Sequence, residues 1–368
     1  MREKWKSPVA VTRSSLPPLE EYVEMLKPLW ESAWLTNMGD YHEQFKEQLK
    51  GRLKADNLEL FVNGHMALEL ALQALELEGE VITTPFSFAS TTHAIVRNRL
   101  TPVFCDINGR DYTLDADLLE GCITSRTCAI VPVHVYGNLC DVEKIQEIAD
   151  KHGLKVIYDA AHTFGELLDG RGVAEFGDMS MFSFHATKVF HSIEGGAVAY
   201  RDQSLGQRLY QLKNFGIMDS ETVEYVGANG KMNEFQAAMG LCNLRHVEEE
   251  IEKRGRLVKR YRERLSGVEG IRLCPENPRV RSNHAYMPVV FEGFRKNRDQ
   301  VFEELAQRNI HARKYFYPCI NSYACYRGQF DEQGTPVAAR ISRQVLTLPL
   351  YAGLEPEVVD LVCDTILG

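Results

Sequence analysis

Between Leu58 and Tyr200 the chain alternates short apolar runs, rich in β-branched residues, with stretches whose apolar positions recur at helical spacing. The runs LELFV, EVITT, TPVFCDI, CAIVPVHV, KVIYDAA, DMSMFSF and GAVAY are predicted strands. MALELALQALEL places leucines along one helical face, and DVEKIQEIADKHG has an acidic first turn and a glycine stop, so both are predicted helices. Strands that alternate with crossover helices build an α/β domain whose sheet is largely parallel and buried.

A longer helical pattern follows, MNEFQAAMGLCNLRHVEEEIEKRGRLVKRYRERLSG, and its second half is densely charged in both signs. It reads as a solvated connecting helix with a domain boundary inside it. The expected organisation is a large sheet domain over 1–245 and a smaller α+β domain over 246–368, the latter with strands near 285–291 and 344–349. No internal repeat or low-complexity segment interrupts the chain.

The 368 residues carry 42 basic and 51 acidic side chains, a formal charge of −9, which argues against a nucleic-acid partner held by phosphate contacts. No apolar run reaches the length of a membrane span, and the opening MREKWKSPVAVTRSS lacks the apolar core of a secretory signal. A cytoplasmic protein with a small-molecule partner and no membrane association is therefore expected. Nine cysteines, an odd number without a CxxC pair, fall partly inside strand-like runs; they read as reduced thiols acting as small hydrophobes, with neither a metal site nor disulfides.

The strand and helix alternation suggests a nucleotide enzyme, yet neither GxGxxG nor GxxxxGK[ST] is present. The first strand-to-helix junction, VNGHMALELAL, has a single glycine. A helix start of that kind, with Asn63 as cap, offers unpaired N–H groups and a positive dipole end: enough for one phosphate monoester, short of a pyrophosphate cradle.

Three further segments narrow the chemistry. TPFSFASTTHA puts Phe88 just past a strand's carboxyl end, where open α/β sheets bind ligands. KVIYDAAHTFG sets Asp159 at the end of an apolar strand, a costly place for an ionised carboxylate without a cationic partner. FSFHATKVFHSIEGGA holds Ser183, His185 and Lys188 in a loop before a glycine pair, where a partly desolvated lysine can form a Schiff base. Each has an ordinary alternative: a solvated lysine, a capping aspartate, a core phenylalanine. Together a phosphate site, an aromatic plate, a buried aspartate and a reactive lysine specify pyridoxal 5′-phosphate. Asp159 would keep the pyridine nitrogen protonated, Phe88 would stack on the ring, and the backbone near His65 and Met66 with the Ser183 hydroxyl would take the phosphate.

At these residues the chain resembles the DegT/StrS family of pyridoxal-phosphate-dependent sugar aminotransferases, a branch of the aspartate-aminotransferase fold (fold type I). The matching motifs are WLTNMG, NGHMAL, DAAH at 159–162, SFHATKVFHSIEGGA, GANGKMNEFQAAMG, HARKYFYP and LTLPLY. The resemblance implies that Lys188 is the Schiff-base lysine and proton carrier, that Asp159 pairs with the pyridine nitrogen, and that His162 lies beside the cofactor ring near its 3′-oxygen. It implies a homodimer with shared sites, Asn229 reaching the neighbouring subunit's cofactor phosphate and Lys231 facing substrate. Arg313 and His185 are further substrate-binding candidates. Where many relatives have Ser or Thr after the loop glycine, His65 stands here, which leaves phosphate binding at that position to the main chain. A dehydrating branch of the family replaces the lysine by histidine; Lys188 implies transamination instead. The HATK-type loop resembles relatives that put nitrogen from L-glutamate on C4 of a nucleotide-linked 4-keto-6-deoxy sugar, dTDP-4-keto-6-deoxy-D-glucose being the substrate expected, rather than on C3. The alternatives are a 3-keto sugar aminotransferase, a pyridoxal-phosphate-dependent sugar dehydratase and a non-catalytic regulator of the same fold, although no basic DNA-binding module accompanies the fold.

Overall fold

The computed structural model describes residues 7–331 and 333–368; residues 1–6, the start of the segment read above for a leader, lie outside it. The predicted strands form one seven-stranded sheet in the order Leu58–Phe61, Gly196–Tyr200, Met179–Ser183, Lys155–Asp159, Thr127–Ile130, Glu80–Thr83, Thr101–Phe104. Gly196–Tyr200 runs antiparallel to both neighbours, and the other pairings are parallel. The carboxyl ends of the parallel strands therefore share one edge of the sheet, and loops bearing Phe88, Asp159 and Ser183 gather there.

Local chemistry explains the junctions. Asn63 caps the helix Gly64–Ala74 by accepting the Met66 N–H, and Asp141 caps Val142–His152 by accepting the Lys144 N–H, with Gly153 in the left-handed region ending that helix. CAIVPVHV forms a shorter strand than its apolar run suggests, Thr127–Ile130, because Pro132 has no N–H to give to a ladder. Both sheet faces are covered: leucines and alanines of Gly64–Ala74 pack on one core, and Phe45, Leu49, Phe164, Phe182, Phe184 and Phe190 build another.

The long helix spans Glu234–Leu265 and opens with a capping box between Asn233 and Gln236. Ala237 and Leu241 pack with the aromatic core of the sheet domain, whereas Leu257, Val258, Tyr261 and Leu265 join a separate core. We place the division between the two units inside this helix, where the burial changes partner. The second core is covered by a three-stranded antiparallel sheet, Ile271–Leu273, Met287–Phe291 and Val345–Leu348. Val9–Ala10 pairs in parallel with Ile310–His311, so this segment docks on the C-terminal unit. Among the described residues no helix is long and apolar enough to cross a membrane, and no disulfide joins any of the nine cysteines.

Candidate active site

The helix Gly64–Ala74 starts hard against the end of strand Met179–Ser183. A Cβ added at Gly64 would stand 2.8 Å from Ser183 Cβ and 3.0 Å from Ser183 Oγ, and one at Gly196 would stand 2.7 Å from the Asn63 backbone. Glycine at both positions lets the Ser183 hydroxyl reach the positive end of the helix. The Met66 N–H is already taken by Asn63 Oδ1 at 2.8 Å. The donors on offer here are thus the His65 N–H and the Ser183 hydroxyl, which make no hydrogen bond among the described residues. The His65 ring turns aside, to Ser90 Oγ at 2.8 Å and Glu69 at 3.3 Å.

Asp159 ends its strand 5% exposed. Its Oδ2 accepts from Thr91 Oγ1 at 2.7 Å and its Oδ1 from the Ala161 N–H at 3.2 Å. Burial pushes its carboxyl above the ordinary range, while Thr91, the Ala161 amide and the Lys188 charge pull it back. Thr91 is fully buried and lies 3.0 Å from Ser87 Oγ; since Thr91 gives its proton to Asp159, Ser87 is the donor in that pair. Sequence reasoning missed this chain of hydroxyls, although Ser87 and Thr91 stand four apart within TPFSFASTTHA.

Lys188 is half-buried in the loop after strand Met179–Ser183, and its amine has no hydrogen-bond partner among the described residues. Burial lowers its pKa to about 8 against the opposing pull of Asp159 and Tyr315. An unpaired amine near that value is a ready nucleophile at neutral pH. A second buried lysine, Lys213, contrasts with it: its amine is held by Glu59 at 2.6 Å and by the Leu60 carbonyl at 3.0 Å.

His162 lies between the two units. Its Nδ1 accepts the Tyr136 N–H at 2.9 Å, which puts the ring proton of the neutral imidazole on Nε2. Burial holds its pKa well below the usual histidine value, so it remains neutral. Tyr286 packs 4.8 Å from it and Phe316 is stacked 6.1 Å away, both from the C-terminal unit. Neither was singled out from the sequence.

Phe88 is not a core residue: it is the N-cap residue of Ala89–Arg97 and 62% exposed, an open aromatic face at the sheet edge. His185 is exposed, its ring 2.8 Å from Thr187 Oγ1 and 3.5 Å from Glu194. Lys231 donates to Asn214 Oδ1 at 3.0 Å and lies 4.5 Å over the Phe215 ring. Asn229 is exposed beside it, next to Gly230, whose carbonyl accepts the Val62 N–H. Arg313 is exposed, with its backbone paired to Thr347 and no side-chain partner among the described residues. The structure thus brings His65, Ser183, Asp159, His162 and Lys188 to one sheet edge and leaves Asn229, Arg313 and His185 on open surface, with Lys231 half-buried. A cleft of about 820 Å³, lined by Arg110, Glu248, Arg262 and His284 among others, contains neither Asp159 nor Lys188. Chemistry, rather than cavity size, marks the site.

The profile of the DegT/DnrJ/EryC1/StrS aminotransferase family matches residues 19–367. The chain is 43% identical over 366 residues, 98% of each chain, to the dTDP-4-amino-4,6-dideoxy-D-glucose transaminase of Escherichia coli. It is 29% identical over 346 residues to the GDP-perosamine synthase of Vibrio cholerae, covering 91% of this chain and 92% of that one. Among solved structures, DesI in the presence of its TDP-sugar product superposes with a TM-score of 0.93 at 34% identity, covering 99% of this chain and 93% of that one. Helicobacter pylori PseC, an aminotransferase of pseudaminic acid biosynthesis, superposes at 0.92 with 27% identity and 98% of each chain covered.

Proposed function

The chain belongs to the DegT/DnrJ/EryC1/StrS aminotransferase family, and from that premise we propose that it transfers the amino group of L-glutamate to C4 of dTDP-4-keto-6-deoxy-D-glucose. The products are a dTDP-4-amino-4,6-dideoxy sugar and 2-oxoglutarate, and pyridoxal 5′-phosphate is the cofactor. One observation carries the reading: an unpaired Lys188 amine stands at the sheet edge with a buried Asp159, in a chain 43% identical over its length to a transaminase of that sugar.

The donor set fits the cofactor. The helix start at His65 and the free Ser183 hydroxyl suit a phosphate, the glycine contact at Gly64 keeps them adjacent, and buried Asp159 suits a protonated ring nitrogen. When bound, pyridoxal phosphate supplies an aldehyde for an amine and a ring that accepts the electron pair left on the adjoining carbon. Lys188 would hold that aldehyde and, once displaced by glutamate, its amine would carry the Cα proton, and do so again in reverse for C4 of the sugar. Asp159, whose ionised form Thr91 and the Ala161 amide favour, would keep the ring nitrogen protonated. His162 would offer its Nε2–H to the 3′-oxygen, a role that its Tyr136 contact allows by fixing the tautomer. Phe88 would stack on the ring.

In this reading the working form is a homodimer. Exposed Asn229 and half-buried Lys231 serve the neighbour's phosphate and substrate, as twofold pairing requires them to do twice. Arg313, without a carboxylate partner, and His185 are the other substrate contacts. We place the reaction in the cytoplasm, where cysteines outside disulfides stay reduced.

The test is the visible spectrum of the purified protein, taken with glutamate and then with the dTDP-linked ketosugar, with mass spectrometry of the product. The cofactor band should fade with glutamate and return with the sugar, accompanied by an amino sugar. A band that fades with glutamate and is not restored by this sugar refutes the acceptor; a protein that binds no pyridoxal phosphate refutes the reading altogether.

A further inference from the structure

Glu166 and Asn283 form a buried junction between the two units that the reaction above does not use. Glu166 follows His162 by four residues and is 1% exposed. Its Oε1 accepts the Asn283 N–H at 3.0 Å and the Ser282 hydroxyl at 3.2 Å, while Oε2 has no partner among the described residues. Asn283, equally buried, donates Nδ2–H to the carbonyls of His162 at 2.9 Å and Phe164 at 3.1 Å, while its Oδ1 has no partner among the described residues. Two acceptors, one from each residue, thus lack a donor in a dry place.

The junction holds the His162 carbonyl and adjoins two supports of its ring. Both side chains flank Gly137: a Cβ there would lie 2.9 Å from Glu166 Oε1 and 3.6 Å from Asn283 Oδ1. The residue before Gly137 is Tyr136, whose amide fixes the His162 tautomer. Three residues after Asn283 is Tyr286, whose ring packs on His162. An ionised carboxylate only accepts, and would leave a charge here without a cation; the neutral acid carries one O–H and provides the missing donor.

We infer that Glu166 works as an uncharged acid that shares its proton with Asn283 Oδ1 and thereby positions His162. The inference deepens the proposed function and rests on His162 facing the cofactor. The titratable and charged groups on the surrounding elements are Lys188, His134, His162, Tyr136, Tyr286, His284, Arg254 and the cluster of Arg52 and Arg281 on Glu248; among the described residues none of them hydrogen-bonds Glu166. Burial agrees with the neutral form, pushing the Glu166 carboxyl up to about 8. Glutamine at this position retains a donor at every pH, whereas alanine removes it.

The experiment compares the full chain with Glu166→Gln and Glu166→Ala by ¹⁵N NMR of histidine rings, the His162 signal being assigned through His162→Asn, and by titration with pyridoxal phosphate. Glu166→Gln should keep the wild-type His162 signal and a cofactor Kd within about twofold at pH 7. Glu166→Ala should shift the signal and weaken cofactor binding about tenfold. From pH 6.5 to 9.5 the wild-type His162 signal should change more than that of Glu166→Gln, in which only Lys188 still titrates beside the ring. A wild-type His162 signal in Glu166→Ala, or identical pH profiles for wild type and Glu166→Gln, overturns the inference. The second comparison decides the matter should the alanine variant fail to fold. If His162→Asn leaves cofactor affinity unchanged, the proposed role of His162 fails instead, and the ring signals still decide the junction.

Discussion

Replacing Thr91 by valine exchanges a hydroxyl for a methyl at a fully buried position, so its effect can be assigned to one hydrogen bond. Thr91 Oγ1 donates to Asp159 Oδ2 at 2.7 Å, and among the described residues the only other hydrogen bond to that carboxylate comes from the Ala161 amide at 3.2 Å. A hydrogen bond to a charged group contributes ~1.5–3 kcal/mol. With ~1.4 kcal/mol per factor of ten, the ionised form of Asp159 loses roughly 10- to 150-fold relative to the neutral acid. The direction is unambiguous, because burial already raises this carboxyl and Thr91 is a force that opposes the rise. A neutral Asp159 cannot keep the ring nitrogen protonated, so kcat should fall by about tenfold or more while KM for glutamate and sugar changes little. The assay is steady-state turnover with both substrates, together with the pH dependence of the bound cofactor's absorbance. Thr91→Ser, which restores the hydroxyl, should recover most of the rate. Wild-type kcat and an unshifted absorbance profile in Thr91→Val would refute the assignment of Asp159 to the ring nitrogen through this contact.

Borohydride treatment of the holoprotein should fix the cofactor on the peptide containing Lys188 alone, since Lys213 is held as an ion pair with Glu59; label on Lys213 would contradict the reading, and Lys188→Ala should lose more than about a thousandfold in turnover. Co-expression of Lys188→Ala with Asn229→Ala tests the shared sites: random pairing gives mixed dimers with one intact site each and roughly a quarter of wild-type activity, whereas self-contained sites would give none beyond the parents' sum. Glu166 is raised from 4.5 to about 8, so between those values the folded chain holds the extra proton and stability falls as pH rises. At ~1.4 kcal/mol per pKa unit the loss is a few kcal/mol across that window, complete above it and absent below. Urea unfolding at pH 5, 6.5 and 8 should show a smaller decline for Glu166→Gln than for wild type.

Much of the fold was legible because period-2 and unbroken apolar runs, closed by glycine or a cap, are local signals. GAVAY matches Gly196–Tyr200 residue for residue, and the Asp141 cap and Gly153 stop match the ends of Val142–His152. The helices Leu19–Ser32 and Asp40–Leu53 escaped notice because their stripes are thin: DYHEQFKEQLKGRL buries His42, Phe45, Leu49 and Leu53 among charges. The docking of Val9–Ala10 on Ile310–His311 joins residues some 300 apart, which no local pattern encodes.

For the site, the sequence by itself determined the chemical parts: an aspartate at a strand end, a lysine in a glycine-bounded loop, a one-glycine helix start, each recognisable because backbone geometry restricts which residues can stand there. Only the tertiary structure decided how those parts are tuned. Thr91 on Asp159, the Tyr136 amide on His162, and Glu166 with Asn283 across the two units are contacts between segments far apart in the chain. Their strength comes from burial in a low-dielectric interior, which exists only after the sheet, its covering helices and the C-terminal unit have closed together.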